Sequence, residues 1–188
     1  MSVISGERLR KLVLDGSMVT GVLPEHVNAA SVDLVLGNTF LREGYPENPL
    51  DDQKYIIDLK ARTPANFVEV VLKDGGSLDL HPGEFVLVDT ANLFNLPDDI
   101  ASEFKLKSSH ARSMLNHALA GWCDPGWNGS KLTMEFKNQS QFHTIRLTPG
   151  MPCGQMVFFQ LSEPVPKDLS YATKGRYNGD TTVQAMKA

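Results

Sequence analysis

The stretch Lys131–Lys137, with the sequence KLTMEFK, decides the fold class of this 188-residue chain. Its apolar residues Leu132, Met134 and Phe136 alternate with polar ones, which is the period of a β-strand that buries one face. Other short segments are rich in β-branched or aromatic residues and also predict strands. They are Glu84–Asp89, Phe142–Leu147 and Met156–Leu161.

Pro-Gly pairs stand just before or between these strands. In such a pair, Pro fixes φ at one turn position and Gly supplies a positive φ at the next. Many short strands with Gly/Pro turns predict a β-sandwich or β-barrel. The pairs are Pro82-Gly83, Pro125-Gly126 and Pro149-Gly150.

Two helices are predicted in this mainly β chain. Ser5 is a suitable N-cap and Gly16 a stop signal for a short amphipathic helix near the start of the chain. In Ser108–Leu119 (SSHARSMLNHAL), the apolar residues fall at i, i+3, i+4 and i+7. They are Ala111, Met114, Leu115 and Ala118. This spacing predicts a second helix inside the β domain.

The composition is that of one ordered domain, spanning residues 1–188. Apolar residues make up 41% and charged residues 21%, so the chain can bury a core. The formal net charge is −4 with no block of like charge, so nucleic acid is not expected as a partner. No apolar run is long enough for a membrane span, so no membrane partner is expected either.

The cysteines and histidines argue against a zinc site. Cys123 and Cys153 form no CxxC motif, and the five histidines form no HExxH motif or paired Cys/His cluster. His110 and His117 would share a face of the predicted helix, but a third ligand is not evident. No signal-peptide pattern follows Met1, so we expect a cytoplasmic protein.

A candidate anion site lies at the start of the second predicted helix. Lys107, Ser108, Ser109 and Arg112 would bring two cations, two hydroxyls and backbone N–H groups to one point, which suits a phosphate chain. The alternative is that Ser108 only caps the helix and that Arg112 is solvated.

Two carboxylates follow this helix. Asp124, in the turn Asp124–Trp127 (DPGW), suits a sugar hydroxyl, although Asp before Pro also simply starts turns. Glu135 shares a strand face with Thr133 and Lys137, away from the apolar side, so it is either a functional group or an ordinary exposed strand residue. The tail Lys174–Ala188 is small and polar and predicts a mobile segment, which either frays or closes over a ligand.

These motifs together resemble the dCTP deaminase branch of the dUTPase-like superfamily. The resemblance rests on KSSHARSML, on AGWCDPGWNGSKLTMEF and on three further stretches in the same order, and it covers most of the chain from about residue 28. The three stretches are AASVDLVLG (Ala29–Gly37), FNLPDDIASEFKLKSS and LTPGMPCGQMVFF (Leu147–Phe159), followed by KGRYNG in the tail.

The resemblance implies a distorted β-barrel or jelly-roll-like subunit of the dUTPase type with short helices. It also implies a homotrimer with active sites between subunits, a tail that closes over the nucleotide, and Mg²⁺ bound through the triphosphate. The implied activity is hydrolytic deamination of dCTP to dUTP and ammonia, by a glutamate-activated water without zinc, in pyrimidine deoxynucleotide metabolism. The alternatives are a dUTPase or a bifunctional dUMP-forming deaminase, and a catalytically inactive nucleotide-binding regulator.

The resemblance also implies roles for individual residues. Glu135 matches the catalytic glutamate, and the substrate-binding positions surround it in the sequence. Those positions are Lys107, Ser108, Ser109 and Arg112 for phosphate, Ala120 and Thr133 near the base, Asp124 for deoxyribose, and Tyr171, Arg176 and Asp180 in or next to the tail.

Two departures from the family pattern affect substrate choice. Trp122 stands where many members have an arginine, and Asp180 where the tail motif usually has a glutamine. A carboxylate only accepts hydrogen bonds, so Asp180 suits the exocyclic amine of cytosine better than the carbonyl oxygen of uracil. The alternative is that Asp180 is solvated.

Overall fold

The computed structural model describes residues 1–45 and 56–187, and in these ranges the chain forms eleven β-strands and three short α-helices. The strands are β1 (Ser2–Val3), β2 (Val32–Glu43), β3 (Phe67–Val71), β4 (Leu78–Leu80), β5 (Phe85–Asn95), β6 (Ile100–Leu106), β7 (Leu115–His117), β8 (Trp122–Cys123), β9 (Asn128–Asn138), β10 (Ile145–Leu147) and β11 (Pro152–Gln160). The helices are α1 (Gly6–Leu14), α2 (Ser108–Arg112) and α3 (Tyr171–Lys174).

Nine of these strands form one antiparallel sheet, which confirms the mainly β prediction. The sheet has the order β7-β9-β5-β2-β11-β6-β8, with β1 paired to β11 and β3 paired to β2. Strands β4 and β10 form a separate two-stranded ribbon. The sheet curls into a half-barrel, and one of its faces packs against a continuous apolar core.

Strand β9 shows how the sequence pattern builds this core. Leu132, Met134 and Phe136 are buried, as the alternation predicts. Thr133 and Glu135 lie on the opposite face, and this face borders a cavity. The face that alternation marks as non-core is therefore the face available for chemistry.

The first helix is also as predicted. Leu9 and Val13 of α1 are buried against the core, and the chain leaves the helix at Gly16, where φ is +74°. The turn at Gly126 needs glycine both for its positive φ and for lack of space. Its φ is +83°, and a Cβ at this position would collide with the Ser170 hydroxyl.

The second predicted helix is wrong over most of its length. Only Ser108–Arg112 is helical; Met114 then takes a φ of +65°, and β7 pairs with β9. This pairing buries Leu115 and His117 and supplies ladder hydrogen bonds, which outweigh continuing the helix. His110 and His117 therefore lie on different elements and do not share a helix face.

Within the described residues, no helix combines the length and the apolar character that a membrane crossing requires.

Candidate active site

A cavity of about 490 Å³ opens between the outer face of β9, the tail and the segment that leads into β3. It collects six of the residues singled out in the sequence, namely Ala120, Asp124, Thr133, Glu135, Tyr171 and Asp180. The wall on the β3 side is apolar and includes Ile57, Leu59 and Phe67. The cavity thus joins a polar row to an apolar wall, the usual make-up of a small-molecule site.

Glu135, which lines this cavity, contacts a buried histidine. Nε2 of His117 lies 3.0 Å from Oε2 of Glu135, whose side chain is 24% exposed. The Leu119 N–H donates to Nδ1 of His117 (3.3 Å), so Nε2 carries the hydrogen in the neutral ring. The contact nevertheless does not form a hydrogen bond, and the buried Oε2 has no hydrogen-bond partner within the described residues. An unsatisfied buried carboxylate oxygen is costly and points to a group kept for chemistry.

Residue His117 is a site residue that the sequence analysis missed. The helix prediction placed it with His110, whereas the pairing of β7 with β9 brings it to Glu135. His110 instead donates from Nδ1 to the Cys153 carbonyl (3.1 Å) and anchors α2 to β11.

Residue Lys131 is a second missed residue, and the alternation of β9 could have found it. It lies four positions before Glu135 on the same face and lines the same cavity. Its ammonium group contacts Oδ2 of the buried Asp89 at 2.8 Å. The cavity thus contains a cation whose charge is balanced by the buried carboxylate of Asp89.

The turn before β9 positions Asp124. Trp127 anchors the turn by stacking on Phe94 with ring centroids 5.1 Å apart, and its backbone N–H donates to the Asp124 carbonyl. The indole N–H of Trp122 donates to Oδ1 of Asp124 (2.9 Å). The Asp124 carboxylate is therefore held by a residue two positions before it in the chain.

The tail forms the roof of the cavity. The Lys131 N–H donates to the Asp180 carbonyl (2.7 Å), and the Gln184 N–H donates to the Thr133 hydroxyl (3.1 Å). Burial raises the pKa of Tyr171, whose hydroxyl accepts a hydrogen bond from the Tyr177 N–H (3.4 Å). The predicted mobility of residues 174–188 stays a prediction, and the structure shows the packed arrangement.

Both carboxylate oxygens of Asp180 accept hydrogen bonds from Lys187 (2.7 Å each). The same ammonium donates to the Arg176 carbonyl (2.9 Å) and lies 5.2 Å from the centroid of the Tyr177 ring. This contact ties the two ends of the tail together. It also occupies the oxygens that were expected to accept from a cytosine amine.

The predicted phosphate residues do not line the cavity. Lys107 forms an ion pair with Asp33, and Ser108, Ser109 and Arg112 are exposed on α2. Arg176 is also exposed and outside the cavity lining. Within one chain, the proposed phosphate motif and the Glu135 cavity are therefore separate.

The described residues contain no cluster of three or more His, Cys, Asp or Glu side chains placed to ligate a metal ion. Burial raises the pKa of Cys123 and of Cys153 to about 12, so both remain neutral thiols near neutral pH. A thiol in that state is a poor metal ligand, because the thiolate is the form that binds metals.

Comparison with known proteins identifies the family. A family model described as dCTP deaminase-like matches residues 3–161. A dCTP deaminase of Haloarcula marismortui is 32% identical, over 98% of this chain and 94% of its own. A "dCTP deaminase, dUMP-forming" of Leifsonia xyli subsp. xyli is 40% identical, over 86% of this chain and 78% of its own.

The fold agrees with a solved structure. The crystal structure of 2'-deoxycytidine 5'-triphosphate deaminase from Agrobacterium tumefaciens matches with a TM-score of 0.62 and 21% identity. The match covers 84% of this chain and about half (48%) of that chain. At this identity the likeness speaks for the fold, and it confirms the predicted fold class. With the family model matching most of its length, this chain belongs to the dCTP deaminase-like family.

Proposed function

We propose that this protein is an enzyme that hydrolytically deaminates dCTP, with Glu135 as the group that moves protons. The observation that carries the proposal is the partly buried Glu135 carboxylate, which borders the cavity with one oxygen unsatisfied beside His117. The names of the relatives supply the substrate, since both described above are dCTP deaminases.

The chemistry asks for one group that first accepts and then returns a proton. Water adds to C4 of cytosine, and Glu135 takes a proton from that water as the C–O bond forms. Glu135 returns this proton to N3, and it then carries a second proton from the new C4 hydroxyl to the amine. The C4–N bond breaks, so ammonia leaves and C4 becomes a carbonyl carbon. His117 limits where the carboxylate can turn, because its ring stands 3.0 Å from Oε2 and is held through Nδ1.

The names of relatives correct the expected product. The product expected from the family resemblance is dUTP, but the relative of 40% identity and several others are named dUMP-forming. We therefore propose that the reaction continues by cleavage of the bond between the α- and β-phosphates. The balanced reaction is dCTP plus two waters giving dUMP, ammonia and pyrophosphate.

A direct assay tests this function. Purified protein is incubated with dCTP, and ammonia, pyrophosphate and the nucleotide products are measured separately. The proposal expects ammonia and pyrophosphate in equal amounts, with dUMP as the nucleotide. Ammonia without pyrophosphate contradicts the second step, and neither product indicates a nucleotide-binding regulator.

We further propose that the working unit is a homotrimer in which α2 of one subunit faces the cavity of the next. The support is the separation described above: Arg112 and its neighbours carry the phosphate motif, yet none lines the Glu135 cavity of its own chain. Such a site is complete only when two copies meet. Light scattering is expected to give the mass of three chains, and a monomer that is fully active contradicts the arrangement.

The metal prediction follows from the same site. We propose that Mg²⁺ enters bound to the triphosphate, where it neutralises part of the phosphate charge, and that no zinc takes part. Metal analysis of the purified protein is expected to find no stoichiometric zinc. Activity is expected to fall with EDTA and to return with Mg²⁺. One tightly held zinc ion per subunit contradicts this prediction.

The tail contact provides a further prediction. Lys187→Met removes the partner of Asp180 and is expected to raise KM for dCTP by about 3- to 10-fold, because a partly buried ion pair contributes on the order of 1 kcal/mol to holding the tail. The effect on kcat is expected to be smaller. Lys174→Met removes an exposed tail lysine and is the matched control. Equal KM values for the two variants argue that the ion pair does not hold the roof.

A further inference from the structure

The indole of Trp122 contacts both the cavity and the carboxylate of Asp124. Its N–H donates to Oδ1 of Asp124 (2.9 Å), and its ring lies against Phe159 with centroids 5.9 Å apart. The side chain is half exposed and lines the cavity together with Asp124. The indole of Trp122 is therefore held by Phe159 and by Asp124, and part of it is exposed to the cavity.

The hydrogen bond constrains how Asp124 can bind a ligand. A carboxylate that is free to rotate offers two equivalent oxygens, whereas here Oδ1 is engaged and the second oxygen is held in one direction. An indole nitrogen only donates, so Trp122 cannot itself accept a hydrogen bond from a hydroxyl. The arrangement favours one hydroxyl donor on the second oxygen of Asp124.

Only one sugar hydroxyl of dCTP can be this donor. The 5′ oxygen is esterified and the 2′ position carries hydrogen, which leaves the 3′-hydroxyl. We propose that Trp122 is a positioning residue that sets the preference of this enzyme for a substrate with a free 3′-hydroxyl, by orienting Asp124 toward it. This proposal rests on the proposed function, because that function supplies the nucleotide.

Binding measurements on a variant with strongly reduced turnover test the proposal separately from catalysis. In the Glu135→Gln background, calorimetry gives the Kd of dCTP and of 2′,3′-dideoxy-CTP. The Kd ratio is expected to favour dCTP by about 10-fold or more, since a hydrogen bond to a charged group is lost in the dideoxy compound. Adding Trp122→Phe, which keeps a ring against Phe159 but has no N–H, is expected to lower this ratio by about 3- to 10-fold.

Further variants separate positioning from packing. Trp122→His keeps a ring N–H and is expected to restore part of the ratio. Trp122→Leu has no N–H and replaces the Phe variant if that one does not fold. Phe159→Leu weakens the packing of the indole without removing its N–H, and it is expected to leave the ratio unchanged.

The outcomes are distinguishable from those of the proposed function. A ratio that Trp122→Phe does not change, or no preference for dCTP over the dideoxy compound, overturns the positioning role even if the wild-type protein deaminates dCTP. If the wild-type protein releases no ammonia while Trp122→Phe lowers the Kd ratio as expected, the proposed function is overturned and the role of Trp122 is supported.

Discussion

Glu135→Gln is expected to lower kcat by at least about 10²- to 10⁴-fold, with little change in nucleotide binding. The amide has nearly the same shape and can still form hydrogen bonds, but it cannot accept a proton from water. The partly buried carboxylate, with an oxygen 3.0 Å from His117 and unsatisfied, is the group in the cavity suited to that task. Steady-state kinetics on dCTP, with ammonia as the readout, measure the loss.

A matched control uses a glutamate outside the cavity. Glu69→Gln makes the same chemical change at an exposed position on β3 that does not line the cavity. Its kcat is expected to equal that of the wild type. If Glu135→Gln keeps more than about a tenth of the wild-type kcat, Glu135 is not the proton carrier and the mechanism fails.

Arg112→Ala is expected to lower kcat/KM for dCTP by about 10- to 150-fold. The loss corresponds to roughly 1.5–3 kcal/mol for a charge-assisted contact to phosphate. The same change is expected to matter little for deoxycytidine, which has no phosphate. Arg10→Ala removes another exposed arginine, on α1, and serves as the control. Unaltered turnover of dCTP argues against a phosphate contact at Arg112.

Mixing the two impaired variants tests whether sites are shared between chains. In assemblies of Glu135→Gln and Arg112→Ala chains, some sites combine the intact Glu135 of one chain with the intact Arg112 of the next. For random 1:1 mixing, about a quarter of the sites are complete, so about a quarter of the wild-type activity is expected to return. No recovery in stable mixed assemblies contradicts the proposed placement of α2 at the neighbouring cavity.

Local patterns predicted much of the framework. The alternation in β9 identified its buried face, and the signals at Ser5 and Gly16 bounded α1, because periodicity and chain punctuation act within a few residues. The predicted strand at Phe142–Leu147 shortens to Ile145–Leu147, because the polar turn before it is organised by the side chains of Asn138 and Ser140. Strand boundaries of this kind depend on side-chain bonds that periodicity does not encode.

The helix predicted over Ser108–Leu119 shows where local reasoning fails. Its apolar spacing fits a helix, yet Ala111 is exposed and Leu115 is buried in a strand that pairs with β9. The ladder between β7 and β9 joins residues far apart in the chain, so no local window contains the energy that decides the conformation. The missed contact between His117 and Glu135 has the same origin, because it exists only when β7 pairs with β9.

The sequence by itself determined the fold class, the resemblance to a deaminase family and the candidate Glu135, since each depends on residue types in a local order. The tertiary structure alone decided which candidates meet. It joined Glu135 to His117 and Asp180 to Lys187, held Asp124 through Trp122, and left Arg112 outside the cavity of its own chain. The physical reason is that sheet pairing and tail packing bring together side chains whose separation along the chain carries no signal of their contact.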